Sequence, residues 1–342
     1  MTQTPPGGAP IGVAASDAGR PRELAVVICA YTADRWNEIR AAVRSALDQA
    51  DVETELILII DHAPDLLDAA RSEFIDPRIV VAPNVGPRGL SGARNTGVGL
   101  ARSSIVAFLD DDATAERDWA SRLLAWYDDD AVLGVGGASQ PTWKTARPTW
   151  FPDEFDWVVG CTYRGMPDGP APVRNVIGSN MSFRRELFAL VGGFDSSIGR
   201  LGATPVGCEE TEFCIRLTKR VPSGRIMYDP SARVRHHLPK ERETWRYFQA
   251  RCLAEGRSKA IVAQLVGSQR GLASERAYAT RTLPAGVLRA VREAIRMRRP
   301  APLARAGTIV AGLALTSAGY IAGRLRVRRR ADRLQPASRD QR

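Results

Sequence analysis

Residues 107–114 read "AFLDDDAT", and the run from Ile105 to Leu109 is wholly apolar until it meets Asp110, Asp111 and Asp112. A continuous apolar run of this kind predicts a strand covered on both faces. Three adjacent carboxylates at its end repel one another unless something positive sits among them. The stretch therefore predicts a buried strand that delivers acidic groups to a ligand site beyond its carboxyl end, where ligands bind in open α/β sheets.

The neighbouring segments repeat the pattern. "LAVVICA" (24–30), "ELILIID" (55–61) and "RIVVAP" (78–83) predict three more covered strands. Helical spacing over 36–49 and 65–74 separates them, and the glycine-rich "NVGPRGLSGARNTGVGLA" (84–101) leads through a helix into the aspartate strand. Strands alternating with helices predict a parallel sheet with helices on both faces. Ala30, Tyr31, Asp61 and Asp110–Asp112 then all fall at carboxyl ends.

After residue 134 the alternation loosens. "GVGGASQPTW" (134–143) and "WVVGCTYRG" (157–165) read as strands, and "NMSFRRELFALVGGFD" (180–195) as a strand entering a helix that stops at Gly192–Gly193. "CEETEFCIRLTKR" (208–220) reads as a helix with Glu209, Glu210 and Glu212 in its first turn. The helix dipole stabilises carboxylates there, and a carboxylate can also serve as a general base. "GRIMYDP" (224–230) is a further strand, 241–266 and 284–299 are helical, and 306–323 is an 18-residue stretch without a charge.

Composition narrows the function. The 342 residues are 44% hydrophobic and 25% charged, with a net charge of +10. Residues 281–342 hold 15 Arg, no Lys and 3 acidic residues, so the remainder is close to neutral. A basic body for nucleic-acid binding is thus excluded, and on charge alone the basic tail suits anionic lipid headgroups or RNA equally well. Cys29, Cys161, Cys208, Cys214 and Cys252 are odd in number and lack CxxC spacing. They predict reduced thiols on the cytoplasmic side and no zinc site.

The chemistry follows from the acids. A nucleoside-diphosphate leaving group is neutralised by a hard divalent cation on one or two carboxylates. Asp110 and Asp112 suit that task, and Asp111 suits a ribose hydroxyl. Arg88 and Arg94 stand among glycines that let backbone approach a phosphate. His236 and His237, two of three histidines, follow "ARVR", where one can join the metal or diphosphate.

In this order, "VVICAYT", "LIIDHAPD", "NVGPRGLSGARNTG", "FLDDDAT", "NMSFRRELFALVGGFD" and "EETEFCIRL" resemble the motifs of a family 2 glycosyltransferase with the GT-A fold, over roughly residues 24–260. "WVVGCTYRGMP" and "GSNMSFRR" resemble a prokaryotic subgroup that includes glucuronosyltransferases acting on glucosyl-polyprenyl phosphate. The resemblance implies a mixed α/β sheet flanked by helices and a metal-dependent, inverting transfer from a nucleotide-sugar donor, expected to be UDP-linked, to a hydroxyl of a lipid-linked or cell-envelope glycan acceptor. It implies Mn²⁺ or Mg²⁺ at Asp112, to which the reading of the residues adds Asp110 and His236. Ala30, Tyr31, Asp61, Arg94, Asp110 and Asp111 would line the nucleotide-sugar, Glu210 would be the base, and Asn180 and Glu209 would face the acceptor. His62 replaces a frequent second aspartate.

The organisation expected is a disordered leader (1–22), the GT-A domain (23–240), a helical region (241–303), an apolar membrane-associating segment (304–326) and a basic disordered tail (327–342), placing the protein at the cytoplasmic face of the membrane. Two other readings are a nucleotidyltransferase, which needs a phosphate loop where "CAYTADRW" stands, and a membrane-tethered RNA-binding protein, which needs stacking aromatics that 289–299 lacks.

Overall fold

In the computed structural model, which describes residues 23–197, 207–266 and 273–334, the four apolar runs become adjacent strands. They are β1 (Glu23–Ala30), β2 (Glu53–Ile60), β3 (Ile79–Pro83) and β4 (Ile105–Asp110). They lie parallel in the order β3-β2-β1-β4. The connections carry helices α1 (Trp36–Leu47), α2 (Pro64–Glu73) and α3 (Leu90–Leu100).

Alternate residues of each strand feed two cores. Leu24, Val26 and Ile28 pack with Ile39 and Ala42 of α1 on one face. Ala25 and Val27 pack with Ala93 of α3 on the other. Both faces are covered, which is why these strands read as unbroken apolar runs.

Beyond β4 the sheet turns mixed. β4 pairs antiparallel with β8 (Asn180–Arg184), and the order continues through β6 (Val132–Trp143) and β9 (Arg225–Leu238) to β5 (Ala113–Ala115). A short β7 (Ala171–Val173) pairs with β9. The predicted strand at 224–230 is thus the start of one 14-residue strand that also contains "ARVRHHL". Helices α4 (Trp119–Leu124), α5 (Glu186–Val191) and α6 (Glu209–Arg220) complete the two covering layers.

The strand expected at 157–165 is not one. Residues Asp153–Val159 form a 3₁₀ turn that Gly160 ends in the left-handed region, at φ 82°. Phe151, Phe155, Val158 and Val159 all bury in a third core, a spacing that suits a helical turn and not a strand.

That third core joins the C-terminal helices to the sheet. Phe155 shares it with Phe248 and Cys252 of α7 (Trp245–Val266), Leu283 of α9 (Leu283–Met297) and Ile309 of α10 (Ala301–Leu334). Between α7 and α9 lies the short α8 (Ala273–Ala277), whose Glu275 holds Arg174 at 2.6 and 2.8 Å and Lys259 at 2.7 Å. The expected boundary at 303/304 falls inside α10. Residues 327–334, expected within a disordered tail, continue α10 to Leu334, because Arg, Ala and Leu favour a helix. The leader 1–22 and residues 335–342 lie outside the described residues.

Helices α7 and α10 approach backbone to backbone. A Cβ on Gly256 would stand 2.1 Å from the Thr316 carbonyl oxygen, and one on Gly319 2.2 Å from that of Leu253. Gly307, on the same α10, has open space. Gly319→Ala is therefore expected to lower unfolding free energy by about 1–3 kcal/mol through overpacking. Gly307→Ala should be neutral or gain up to about 1 kcal/mol from helix propensity. Urea denaturation of the two variants checks this, and equal tolerance of both would contradict the seam.

Candidate active site

Asp110 closes β4, and Asp111 and Asp112 form the turn before β5. The pairing of β5 with β9 sets Ala113 opposite His236, and the His237 amide donates to the Asp112 carbonyl at 2.8 Å. This register brings a histidine 124 positions away in sequence onto the turn. His236 Nε2 lies 2.9 Å from Asp112 Oδ1.

Two arginines complete the charge balance. Arg35 Nη1 donates to Asp111 Oδ1 at 2.7 Å and to Asp112 Oδ2 at 3.1 Å. Arg242 Nη2 donates to Asp112 Oδ2 at 3.3 Å. Burial opposes ionisation of Asp112, but His236 and then Arg242 and Arg35 hold its carboxyl well below the usual range. Asp111 goes the other way: burial and then the Asp112 charge push it up to about 7. Its Oδ2 is buried without a hydrogen-bond partner.

Asp110, Asp112 and His236 each offer a ligand atom, all within 4.8 Å of one another. Two carboxylates and an imidazole suit Mn²⁺, which accepts both donor types. The residues expected to hold a metal are thus brought together, and Asp111 stands apart on Arg35.

The strand ends place the remaining residues. Ala30 is buried, and its carbonyl accepts the Asp61 amide at 2.8 Å. Tyr31 Oη accepts from Arg35 Nη2 at 3.0 Å, with the guanidinium 5.4 Å from the ring centre. Asp61 Oδ1 meets Asn84 Nδ2 at 2.7 Å and His62 Nδ1 at 2.8 Å, and its Oδ2 accepts the Gly89 amide at 2.9 Å. Gly89, at φ 122°, caps α3 in a conformation that glycine adopts without strain. Arg88 beside it is exposed.

Arg94 lies deeper than a ligand-facing arginine. It is buried on α3 and donates to Glu209 Oε1 and to the Gly178 carbonyl, each at 2.9 Å, and to Asp110 Oδ1 at 3.4 Å. It ties the aspartate strand to the start of α6.

Environment separates the three glutamates of that helix start. Glu209 is buried on Arg94. Glu212 is taken by Arg216 at 2.7 and 2.8 Å, which also donates to the Val191, Gly192 and Gly193 carbonyls. Glu210 has no ion-pair partner among the described residues; its Oε1 accepts from Thr211 Oγ1 at 3.4 Å. Burial and then the neighbouring Glu209 charge push Glu210 up to about 8.

Asn180 does not face a cavity. It is fully buried; its amide donates to the Ala138 and Ala232 carbonyls at 3.0 and 2.9 Å and accepts from Trp119 Nε1 at 2.8 Å. These bonds use its polar groups to lock the middle of the sheet. Glu209, expected like Asn180 to face the acceptor, points its Oε1 at Arg94.

Sequence reasoning passed over Arg35 and Arg242. The signal was available in the charge count: the buried carboxylates Asp111 and Asp112 require cations, and Arg35 and Arg242 lie in the short 3₁₀ turns that follow β1 and β9.

The chain matches Glycosyl transferase family 2 over residues 25–192. It is 36% identical over 242 residues to the glucosyl-dolichyl phosphate glucuronosyltransferase of Haloferax volcanii, covering 70% of this chain and 77% of that one. It is 26% identical over 238 residues to the succinoglycan biosynthesis protein ExoM of Rhizobium meliloti, covering 68% and 72%. Among solved structures, the mannosyltransferase PcManGT from Pyrobaculum calidifontis, in complex with GDP-Man and Mn²⁺, superposes with a TM-score of 0.54 at 18% identity, covering 90% of each chain. That likeness confirms the GT-A-like fold. The aspartate turn and the strand order thus belong to a glycosyltransferase, and this chain is a member of glycosyl transferase family 2.

Proposed function

We propose that the protein catalyses inverting transfer of a sugar from a UDP-linked donor to a hydroxyl of a lipid-linked acceptor at the cytoplasmic face of the membrane. The observation that carries this reading is the sorting of the α6 glutamates. Among the described residues Glu210 alone of the three forms no ion pair, and Arg94 ties its neighbour Glu209 to Asp110 of the turn, whose carboxylates suit a cation and a diphosphate.

Asp61 reads the base through Oδ2, which carries a single donor. The partnerless Asp111 Oδ2 accepts from a ribose hydroxyl. Asp110, Asp112 and His236 would hold Mn²⁺ or Mg²⁺, which when bound neutralises the leaving diphosphate. Glu210 takes the proton from the acceptor hydroxyl as it attacks the anomeric carbon from the opposite face. Its raised pKa makes it a stronger base than an ordinary carboxylate. The likeness to the glucosyl-dolichyl phosphate glucuronosyltransferase of Haloferax volcanii supports a lipid-linked acceptor.

The C-terminal helices present that acceptor. α10 contains one stretch, Ala301–Arg326, long and apolar enough to cross a membrane, and a third of its apolar window is buried. Its inner face is clamped to α7, and its outer face leaves Val310, Ile321 and Leu325 exposed near Arg305, Arg324 and Arg326. Leu288, Ile295 and Met297 of α9 are exposed as well. A helix with one face packed on protein and an apolar outer face flanked by arginines suits insertion into an anionic lipid surface.

Glu210→Gln should lower turnover by about 10²–10⁴ while donor affinity stays within twofold, because the amide cannot take the proton. Glu212→Gln should leave turnover nearly intact. Being an acid with a raised pKa, Glu210 is protonated below about pH 8. Wild-type kcat/KM for the acceptor should therefore rise with unit slope towards pH 8 and level above it. A flat profile from pH 6 to 9, or a selective loss at Glu212, would remove Glu210 from the chemistry.

Flotation with phosphatidylglycerol vesicles tests the membrane surface. The wild type should float, and Val310→Glu with Ile321→Glu should stay in solution while retaining donor hydrolysis. Undiminished flotation of the double variant would contradict the assignment of this face.

A further inference from the structure

The arginine between the two buried aspartates is not used by the chemistry above. We infer that Arg35 is a displaceable counter-ion, which holds the turn in place of a divalent cation and leaves it when the cation and a nucleoside diphosphate arrive together. The inference rests on the metal reading of Asp110, Asp112 and His236 and adds to it the order in which charges exchange.

The geometry is that of a bridging cation. A single nitrogen, Arg35 Nη1, stands 2.7 Å from Asp111 Oδ1 and 3.1 Å from Asp112 Oδ2. Asp112 has no oxygen to spare: Oδ1 faces His236 Nε2 at 2.9 Å, and Oδ2 also receives Arg242 Nη2 at 3.3 Å. For Asp112 to bind a metal ion, one of these partners has to withdraw. His236 is itself a candidate ligand. Arg242 has a side chain only 7% exposed and is also within 3.3 Å of His236 Nε2. Arg35 is 20% exposed and sits on a 3₁₀ turn (Ala33–Arg35) just beyond β1, so it is the partner free to move.

Tyr31 sets where it goes. Arg35 Nη2 donates to the Tyr31 hydroxyl at 3.0 Å, and the ring lies under the guanidinium at 5.4 Å. Rotation about that contact keeps the guanidinium at the strand ends, where a diphosphate would lie. A planar guanidinium binds phosphate oxygens in pairs, which compensates for the carboxylates it gives up.

Electrostatics then couples the two ligands. With Arg35 and Arg242 both in place, the three aspartates are largely neutralised, and a lone dication gains little by entering. The diphosphate brings negative charge, draws Arg35 away, and leaves the carboxylates to the metal. By linkage, each ligand strengthens the other by the same factor.

The test measures Mn²⁺ binding directly, by the electron paramagnetic resonance signal of free Mn²⁺, without turnover. In Arg35→Gln, the Kd for Mn²⁺ in the absence of nucleotide should fall at least tenfold relative to wild type. UDP should tighten Mn²⁺ binding at least tenfold in wild type and by much less in Arg35→Gln. Tyr31→Phe, a milder change that keeps the charge, should shift the nucleotide-free Kd in the same direction by a smaller factor. An unchanged or weaker Mn²⁺ affinity in both variants overturns the role of Arg35 and leaves the metal site standing. No Mn²⁺ binding to any of the three proteins, with or without UDP, overturns the metal reading and this inference with it.

Discussion

Asp112 is the point on which the site converges. Its carboxylate is buried and receives a histidine from β9, an arginine from the turn after β1 and another from the turn after β9. A buried charge with these partners is held firmly, and one stripped of them is strongly destabilising. Three stretches of chain far apart in sequence are therefore fixed by one side chain. The backbone repeats the tie, because the Asp112 carbonyl accepts the amide of His237. A second bridge of the same kind, Arg94 between Asp110 and Glu209, links the turn to the start of α6 and so to Glu210.

The C-terminal helices belong to the same arrangement. Arg242 lies past the boundary at 240 that composition suggests, yet it reaches Asp112. Immediately after it, α7 carries Phe248 and Cys252 into a core shared with Phe155 and Ile309. Glycines allow α7 and α10 to meet along their backbones, and apolar side chains of α9 and α10, among them Leu288, Val310 and Ile321, remain exposed.

Much of this was legible in the residues. Strands buried on both faces announce themselves as unbroken apolar runs, so β1 to β4 and the acids at their ends were readable, and with them the position of the site. The grouping of Asp110 with Asp112 and His236 was suggested by paired carboxylates at a strand end and by two rare histidines that follow "ARVR". What the sequence hid was pairing. Nothing local distinguishes Asn180, whose amide is spent on two carbonyls and an indole, from an amide that faces a substrate. Arg94 looks like a loop arginine until the sheet places Glu209 beside it. Arg35 and Arg242 look like ordinary surface charges until three carboxylates arrive next to them. The stretch at 157–165 misled because valines and aromatics favour strands, whereas the third core accepts them on a 3₁₀ turn.

The central claim is that the buried turn at Asp110–Asp112 is where a divalent cation meets a nucleoside diphosphate. An anomalous difference map from crystals grown with Mn²⁺ and UDP tests it most directly. The account predicts a single Mn²⁺ peak in contact with Asp112 and His236, with Asp111 on the ribose and Arg35 moved from Asp112 to the diphosphate. A Mn²⁺ peak elsewhere, or UDP bound while Arg35 still bridges Asp111 and Asp112, would contradict it.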